Sequence, residues 1–500
     1  MAELTAGYEH QGFFDEALTA DGEVRPHYQQ LLARLEDITA PNLVRTGTQI
    51  EDQFIRQGIT FTVYGDDDGV ERTFPMDLIP RVIPASEWEM LERGLIQRTT
   101  ALNAFLDDIY AGGANIVNDG IIPRRLIVSS EGYRPEAVGI DVPAGGRCVV
   151  AGIDLIRDGD GIYRVLEDNL RSPSGVSYVV ENRQAMARLL PQLFRDGRVR
   201  AVSNYGELLL SSLRAVAPLS APDTPNVVVL TPGVFNSAYF EHVFLATQMG
   251  VDLVEGRDLV VEDHILYVRT TGGLRRVDVV YRRIDDDFID PVVFRADSTL
   301  GVAGLMSAAR AGNLTIANAV GNGVADDKAV YAYVPDMVKY YLGEEMIIPN
   351  VDTYLLEDHE HRAHVLSRLG ELVVKPVAEA GGYGLVIGPT ATDQELADLA
   401  VKIEADPRNF IAQEVLQLSR HPCLIDQTFQ ARHIDLRPFV LSGAETKVLP
   451  GGLTRVALKK GSLVVNSSQG GGSKDTWIME DRSPAPPPHG KPVHRESEAI

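Results

Sequence analysis

Residues 165–175 read Val-Leu-Glu-Asp-Asn-Leu-Arg-Ser-Pro-Ser-Gly, VLEDNLRSPSG, an acid, an amide and an arginine in quick succession at the end of an apolar strand. In a strand, side chains alternate between faces, so Val165, Glu167 and Asn169 are expected on one face, with Leu166 and Asp168 on the other. The preceding run, CVVAGIDLIRDGDGIYR, turns at Asp158, Gly159, Asp160 and Gly161, which signals a hairpin. Pairing across a loop of residues 158–161 sets Asp154 opposite Val165 and diagonal to Glu167. Three oxygen donors, Asp154, Glu167 and Asn169, then converge, as a hard cation such as Mg²⁺ requires when it keeps positions open for water and phosphate. Taken alone, an E-x-N strand end is more often solvated surface than a metal site.

Composition bounds the class. The 500 residues are 44% hydrophobic and 23% charged, enough to bury large cores in two or three domains. With 47 basic and 70 acidic residues the net charge is −23, which repels nucleic acid and anionic membrane surfaces while leaving room for a small anion in a local basic pocket. Cys148 and Cys423 are too few for a disulfide framework and lack metal-ligand spacing. The acidic start, MAELTAGYEHQGFFDEALTADG, is unlike a signal peptide, and the cytoplasm is the expected compartment.

Along the chain, EWEMLERGLIQRTTALNAFLDDIYAGG spaces Leu91, Leu95, Leu102, Phe105 and Ile109 as a helix closed by Gly112 and Gly113, and helices are expected to dominate the first part. From about residue 225, PNVVVLTPG, VFNSAYFEHVFLATQMG and VDLVEG read as strand, helix and strand, opening a second domain. Asn236, Tyr239, Glu241, His242, Arg282, Arg283, Asp285 and Asp286 fall near its strand ends, where substrate specificity is expected; His242 reads as a satisfied helix histidine. The proline-rich, charged stretch from 482 has little to bury and is expected to be disordered.

A third segment carries chemistry suited to phosphate. LVVKP sets Lys375 at the end of an apolar strand, and EAGGYG follows, with Gly381, Gly382 and Gly384 able to bring backbone N–H groups close to an anion. The loop is neither a Walker nor a Rossmann fingerprint. FIAQEVL interrupts an apolar run with Gln413 and Glu414, and on its own reads as an edge strand. HIDLRPFVL and LTRVALKKGSLVVNSSQGGG add Asp435, Arg437, Arg455 and Asn466; arginines inside apolar strands require buried anions, and Asp435 is the simplest partner for Arg437.

In this order the pieces resemble the ATP-grasp superfamily, with ADDKAVYAYV supplying the first lysine (Lys328), LVVKP the second (Lys375), EAGGYG the lid, AQEVL the hinge beside adenine, and DLR and LTRVA the arginine strands. The Asp and E-x-N of the metal site stand in front of these instead of behind them. Together with GYEHQGFFDEAL, RSPSGVSYVVENR, VVYRRIDD and NAVGNGVADDK, this is similar to the bacterial circularly permuted ATP-grasp proteins related to glutathionylspermidine synthase, over about residues 5–480. The 13-residue separation of Asp154 and Glu167 is one longer than is common in the superfamily.

The resemblance implies an α/β (α+β) fold, a circularly permuted ATP-grasp with a Rossmann-like pre-ATP-grasp domain. It divides the chain into a helical region with the permuted metal-binding part (1–200), a βαβ substrate domain (201–316), a nucleotide-binding part (317–481) and a tail (482–500). It implies an ATP- and Mg²⁺-dependent carboxylate–amine ligase acting through an acyl phosphate on a small or peptide acid and an amine. Lys328, Lys375, Gly381, Gly382, Gly384, Gln413 and Glu414 would bind nucleotide; Asp154, Glu167 and Asn169 would bind metal. Arg437, Arg455 and Arg171 would serve catalysis, and Ser172, Ser174, Arg282 and Asn466 would contact substrate. A phosphotransferase, or a non-catalytic nucleotide-binding partner of another protein, are the alternatives on the same fold.

Overall fold

The computed structural model describes residues 8–9, 12–63, 70–143, 145–195, 198–379, 384–459, 461–462, 465 and 471–480. The tail from 482 lies outside these residues, as do Gly381, Gly382 and Asn466.

The front hairpin is knitted to the back of the chain. Val150–Arg157 pairs antiparallel with Tyr163–Asn169 on one side and with Phe439–Leu441 on the other, and Lys447–Val448 completes a four-stranded sheet. A second sheet joins Met76–Ile83, in parallel, to Gly472–Ile478, with Thr454–Val456 on its far side. Single bridges at Leu155–Leu436, Ile434–Val456 and Arg437–Leu453 tie the two together. Strands some 280 residues apart in sequence therefore lie side by side, the arrangement a permuted connection produces.

The register of the hairpin departs from expectation. The turn closes with Asp158 N–H donating to the Ile162 carbonyl at 2.9 Å, and Gly161 adopts φ +79°, so the pairing sum is one higher than a 158–161 loop would give. Leu155 faces Val165, then a β-bulge intervenes and Asp154 faces Glu167 directly. A bulge inserts one unpaired residue and puts consecutive side chains on one side. Here that residue is Leu166, which joins Glu167 on the cavity side while Val165 turns into the core at 0% exposure. The extra residue between Asp154 and Glu167 is thus absorbed locally.

Asp168 points the other way, to Arg98 of the 26-residue helix Ala85–Tyr110, whose Nε and Nη2 each donate at 2.6 Å. Leu91, Leu95, Leu102, Phe105 and Ile109 are all buried on this helix, as their spacing predicts. The strand Met76–Ile83 ahead of it carried no alternation that marked it, because six consecutive residues, Leu78 to Ile83, are buried.

Thr315–Ala317, Val279–Arg282, Val227–Leu230 and Asp252–Val254 form an all-parallel sheet in that order, with Tyr239–Met249 as the helix of the strand–helix–strand unit. The lysine strand Leu372–Pro376 belongs to an antiparallel sheet ordered Thr353–Leu355, Phe410–Glu414, Leu372–Pro376, Val386–Ile387. Phe410–Glu414 is therefore an interior strand, not an edge. Leu372, Val374 and Ala412 pack with Val365, Leu399 and Ile403 of the helices His359–Ser367 and Asp393–Ala405, which leaves Val373, Lys375 and Gln413 on the opposite face. Cys148 and Cys423 are free and buried. Among the described residues no helix is long and apolar enough to cross a membrane.

The Arg98–Asp168 pair is nearly inaccessible, with side chains 2% and 0% exposed. Removing one partner leaves the other charge buried and unpaired. Arg98→Met is expected to cost about 3–5 kcal/mol, read by denaturant unfolding.

Candidate functional site

The segment Ala317–Lys328 wraps the end of the acid strand. Asn318 accepts at Oδ1 from the Val149 and Val150 N–H groups and donates from Nδ2 to the carbonyls of Val150 and Leu170. Asn322 also donates to the Leu170 carbonyl, and Asp326 accepts from Leu170 N–H at 2.6 Å and Arg171 N–H at 3.3 Å. Asp327 caps the next short helix by accepting from Ala329 N–H, and Lys328 follows at once, its Nζ 3.9 Å from Glu167 Oε2 and donating to the Glu379 carbonyl at 2.5 Å.

From the other side, Asp154 is the hub. Arg437 donates to both its oxygens, from Nε at 2.5 Å and Nη2 at 2.8 Å, and Arg455 Nη2 donates at 2.6 Å. Arg455 Nε also donates to both oxygens of Asp435 at 3.0 Å. The partner of Arg437 is thus Asp154 across the sheet, and Asp435 belongs to Arg455. Burial alone would raise the Asp154 pKa, but the two guanidiniums outweigh it and hold the carboxyl below the usual range. Glu167 is pushed up, first by burial and then by Asp154 beside it, with Lys328 pulling back.

Lys375 Nζ donates to Gln413 Oε1 at 2.6 Å, and Gln413 Nε2 donates to Thr353 Oγ1 at 2.9 Å, which fixes the amide and aims the lysine. Burial, opposed by Glu167 and aided by Lys328, brings the Lys375 pKa down to about 8. The Glu414 carboxylate is tied back to Arg368 and Tyr354. Gly384 has φ +68°, and a Cβ there would lie 2.8 Å from Pro376 Cγ, so the described end of the glycine loop sits tightly on the lysine strand.

These groups line two adjoining cavities. The first, about 960 Å³, is lined by the apolar Ile156, Leu166, Val373, Ile387, Leu416 and Val465 together with Asp154, Lys375, Gln413, Glu414 and Asp435. The second, about 1580 Å³, is polar: Asn169, Arg171, Ser172, Ser174, Arg283 and Arg437 line it, with Asn236, Glu241 and His242 of the parallel-sheet part. Glu167, Lys328, Glu379 and Arg455 belong to both walls and form the throat between them. The throat itself carries two cations, Lys328 and Arg455, against two carboxylates, Glu167 and Glu379.

Arg282 is a correction. It is 0% exposed, ion-paired to Asp286 at 2.8 Å, and donates to the carbonyls of Ile284, Asn318 and Ala319; it braces the sheet and lines neither cavity. Its neighbour Arg283 faces the polar cavity instead, because adjacent strand residues point oppositely. Arg283 donates to the Pro173 carbonyl and to Glu241, and Glu241 accepts from Gly175 N–H, Ser177 N–H and Ser177 Oγ. Gly175, at φ +112°, opens the helix Val176–Leu189 and has no room for a Cβ against Leu453. His242 bonds Thr231, and burial with Arg283 nearby depresses its pKa to about 2, so it stays neutral. Sequence reasoning missed Glu379 and the apolar residues Ile156, Leu166, Ile387 and Val465; nothing in an isolated valine or leucine marks a cavity wall.

Among the described residues, Asn169 Nδ2 and Ser172 Oγ are buried without a hydrogen-bond partner, and both residues line the polar cavity. Glu167 and the Asn169 Oδ1 are oxygen donors of the kind a hard cation takes, while the unpaired Asn169 Nδ2 is a donor that suits an anion beside it. Both oxygens of Asp154 already carry guanidinium bonds, so it fits such a cation only by sharing. Among the described residues no group of three or more His, Cys, Asp and Glu has metal-site geometry.

The family model for circularly permuted ATP-grasp type 2 matches residues 80–457. An uncharacterized protein of Mycobacterium tuberculosis is 57% identical over 473 residues, 94% of this chain and 85% of its own length. One from Synechocystis is 55% identical over 476 residues, 95% of this chain and 98% of that protein. A Frankia alni protein is 47% identical over 478 residues, 95% of this chain but 54% of that protein; its name, glutamate–cysteine ligase 2-3, is itself provisional. In fold, a glutathione synthetase-like effector from Globodera pallida superposes with a TM-score of 0.56 at 12% identity, covering 87% of this chain and 97% of that one. The chain belongs to the circularly permuted ATP-grasp type 2 family.

Proposed function

We propose that the protein is an ATP- and Mg²⁺-dependent carboxylate–amine ligase that works through an acyl phosphate. The observation that carries this reading is the pair of cavities: an apolar one suited to a nucleobase and a polar one suited to an acid, meeting at a throat built from Lys328, Glu167 and Arg455. A group transferred between occupants of the two cavities would have to pass that throat. The Frankia relative carries a ligase name, but about half of its length lies outside the match, so the name adds support only for the class.

In this mechanism Lys328 and Lys375 hold phosphate oxygens, with the amide of Gln413 keeping Lys375 on target. Glu167 and Asn169 hold Mg²⁺, which supplies charge neutralisation along the phosphates when bound. Asp154 acts chiefly as the anchor that sets Arg437 and Arg455 beside the transferring phosphoryl group, where fixed cations stabilise developing charge. Arg171, Ser172 and Ser174 grip the substrate carboxylate. On this reading the chain divides at about 200, 316 and 481, with the parallel-sheet part contributing the specificity wall, and the protein works in the cytoplasm.

A screen of carboxylates and amines, singly and in pairs, should show ADP release that needs both, with a product lighter than its parents by one water in mass spectra. ADP release complete with a single acceptor would establish a phosphotransferase instead. Lys375→Ala and Glu167→Gln are each expected to lower turnover at least about 100-fold, as removing a charge-stabilising group does, with the melting temperature unchanged. Lys375 is protonated below about pH 8, and a phosphate bound beside it raises that pKa. Nucleotide affinity should then be flat below pH 8 and weaken about tenfold per unit above it, a slope that Lys375→Met removes.

A further inference from the structure

We propose that Asp326 is the proton acceptor for the attacking amine, set in the wall between the polar cavity and a separate acidic cavity beside it; this rests on the ligase reading. The acidic cavity, about 880 Å³, is lined by Glu131, Asp286, Asp287, Asp326 and Asp327 against Arg134 and Arg171. It shares only Arg171, Asp326 and Ala378 with the polar cavity. None of the throat residues Glu167, Lys328, Glu379 and Arg455 lines the acidic cavity, which meets the polar one at Arg171, Asp326 and Ala378.

The carboxylate is held for that task. Its two oxygens accept from the backbone N–H groups of Leu170 and Arg171, the residues immediately after Asn169 and before Ser172, so it moves with the loop that would grip the acid. Among the groups facing it, Arg171 and Asp168 come from the acid strand and its loop, Cys148 lies behind, and Asp286, Asp287 and Arg134 face it across the acidic cavity. Burial pushes its pKa up to about 7, with Arg171 and the two N–H groups pulling back. A base near the working pH is the most effective.

The step balances without another reactant. The amine lone pair forms the C–N bond and the C–O bond to phosphate breaks. Inorganic phosphate leaves with that electron pair, and the proton lost from nitrogen passes to Asp326 and then to water in the acidic cavity. A nitrogen nucleophile that is already neutral and weakly basic needs far less of this help.

The test compares a primary alkylamine, such as ethylamine, with hydroxylamine, using the acid with which the wild-type protein releases ADP. Asp326→Asn keeps one of the two acceptor oxygens that hold Leu170 and Arg171, so some loss is common to both nucleophiles, and alkylamine turnover should fall at least about 100-fold further than hydroxylamine turnover. Equal loss with both nucleophiles indicates a structural role and overturns the proposal, as does no loss with either. A wild-type protein that releases no ADP with any acid plus hydroxylamine sinks the ligase reading itself, a result separable from the variant's behaviour.

Discussion

The carboxylate of Asp154, gripped by Arg437 and Arg455, is the contact on which the arrangement depends. It joins a strand from the first third of the chain to two strands near its end, inside a sheet where an unpaired charge of either sign would be costly. Each guanidinium is satisfied and aimed by the same carboxylate. Arg437 then stands 3.8 Å from Glu167, and Arg455 reaches both Asp154 and Asp435. Without this cluster the two walls of the throat would be neighbours in space but not fixed in register.

Permutation leaves this physics untouched. Sheet hydrogen bonds and ion pairs depend on where strands lie, not on the order in which the chain visits them. The connection that a permuted topology loses is replaced here by side-chain bonds: Asn318, Asn322 and Asp326 hold both ends of the Leu170 peptide and bring Lys328 back to Glu167. One short segment, 317–328, thereby delivers the first lysine and shapes the loop after the acid strand.

Much of the site was legible because its chemistry is local. Lys375 and Gln413 sit on strands whose alternate residues, Leu372, Val374 and Ala412, pack under two helices, and period-2 patterning carries that information directly. Glu167 and Asn169 were legible for the same reason. Arg282 was not: the preference between Arg282 and Arg283 depends on which face of a parallel strand meets the cavity, and both neighbours carry the same charge. The Glu241–Arg283 clamp was also hidden, since its partners Pro173, Gly175 and Ser177 lie more than sixty residues away.

By itself, the sequence determined the cations, the acids and the alternation that exposes them, because side-chain type and strand periodicity are properties of neighbouring residues. Only the tertiary structure decided the bulge that sets Asp154 opposite Glu167, the assignment of Arg437 to Asp154 and of Arg455 to Asp435, and the meeting of an apolar and a polar cavity at one throat. Those are distances between strands that the chain brings together over hundreds of residues, and register between such strands is fixed by packing and ion pairing that no local pattern encodes.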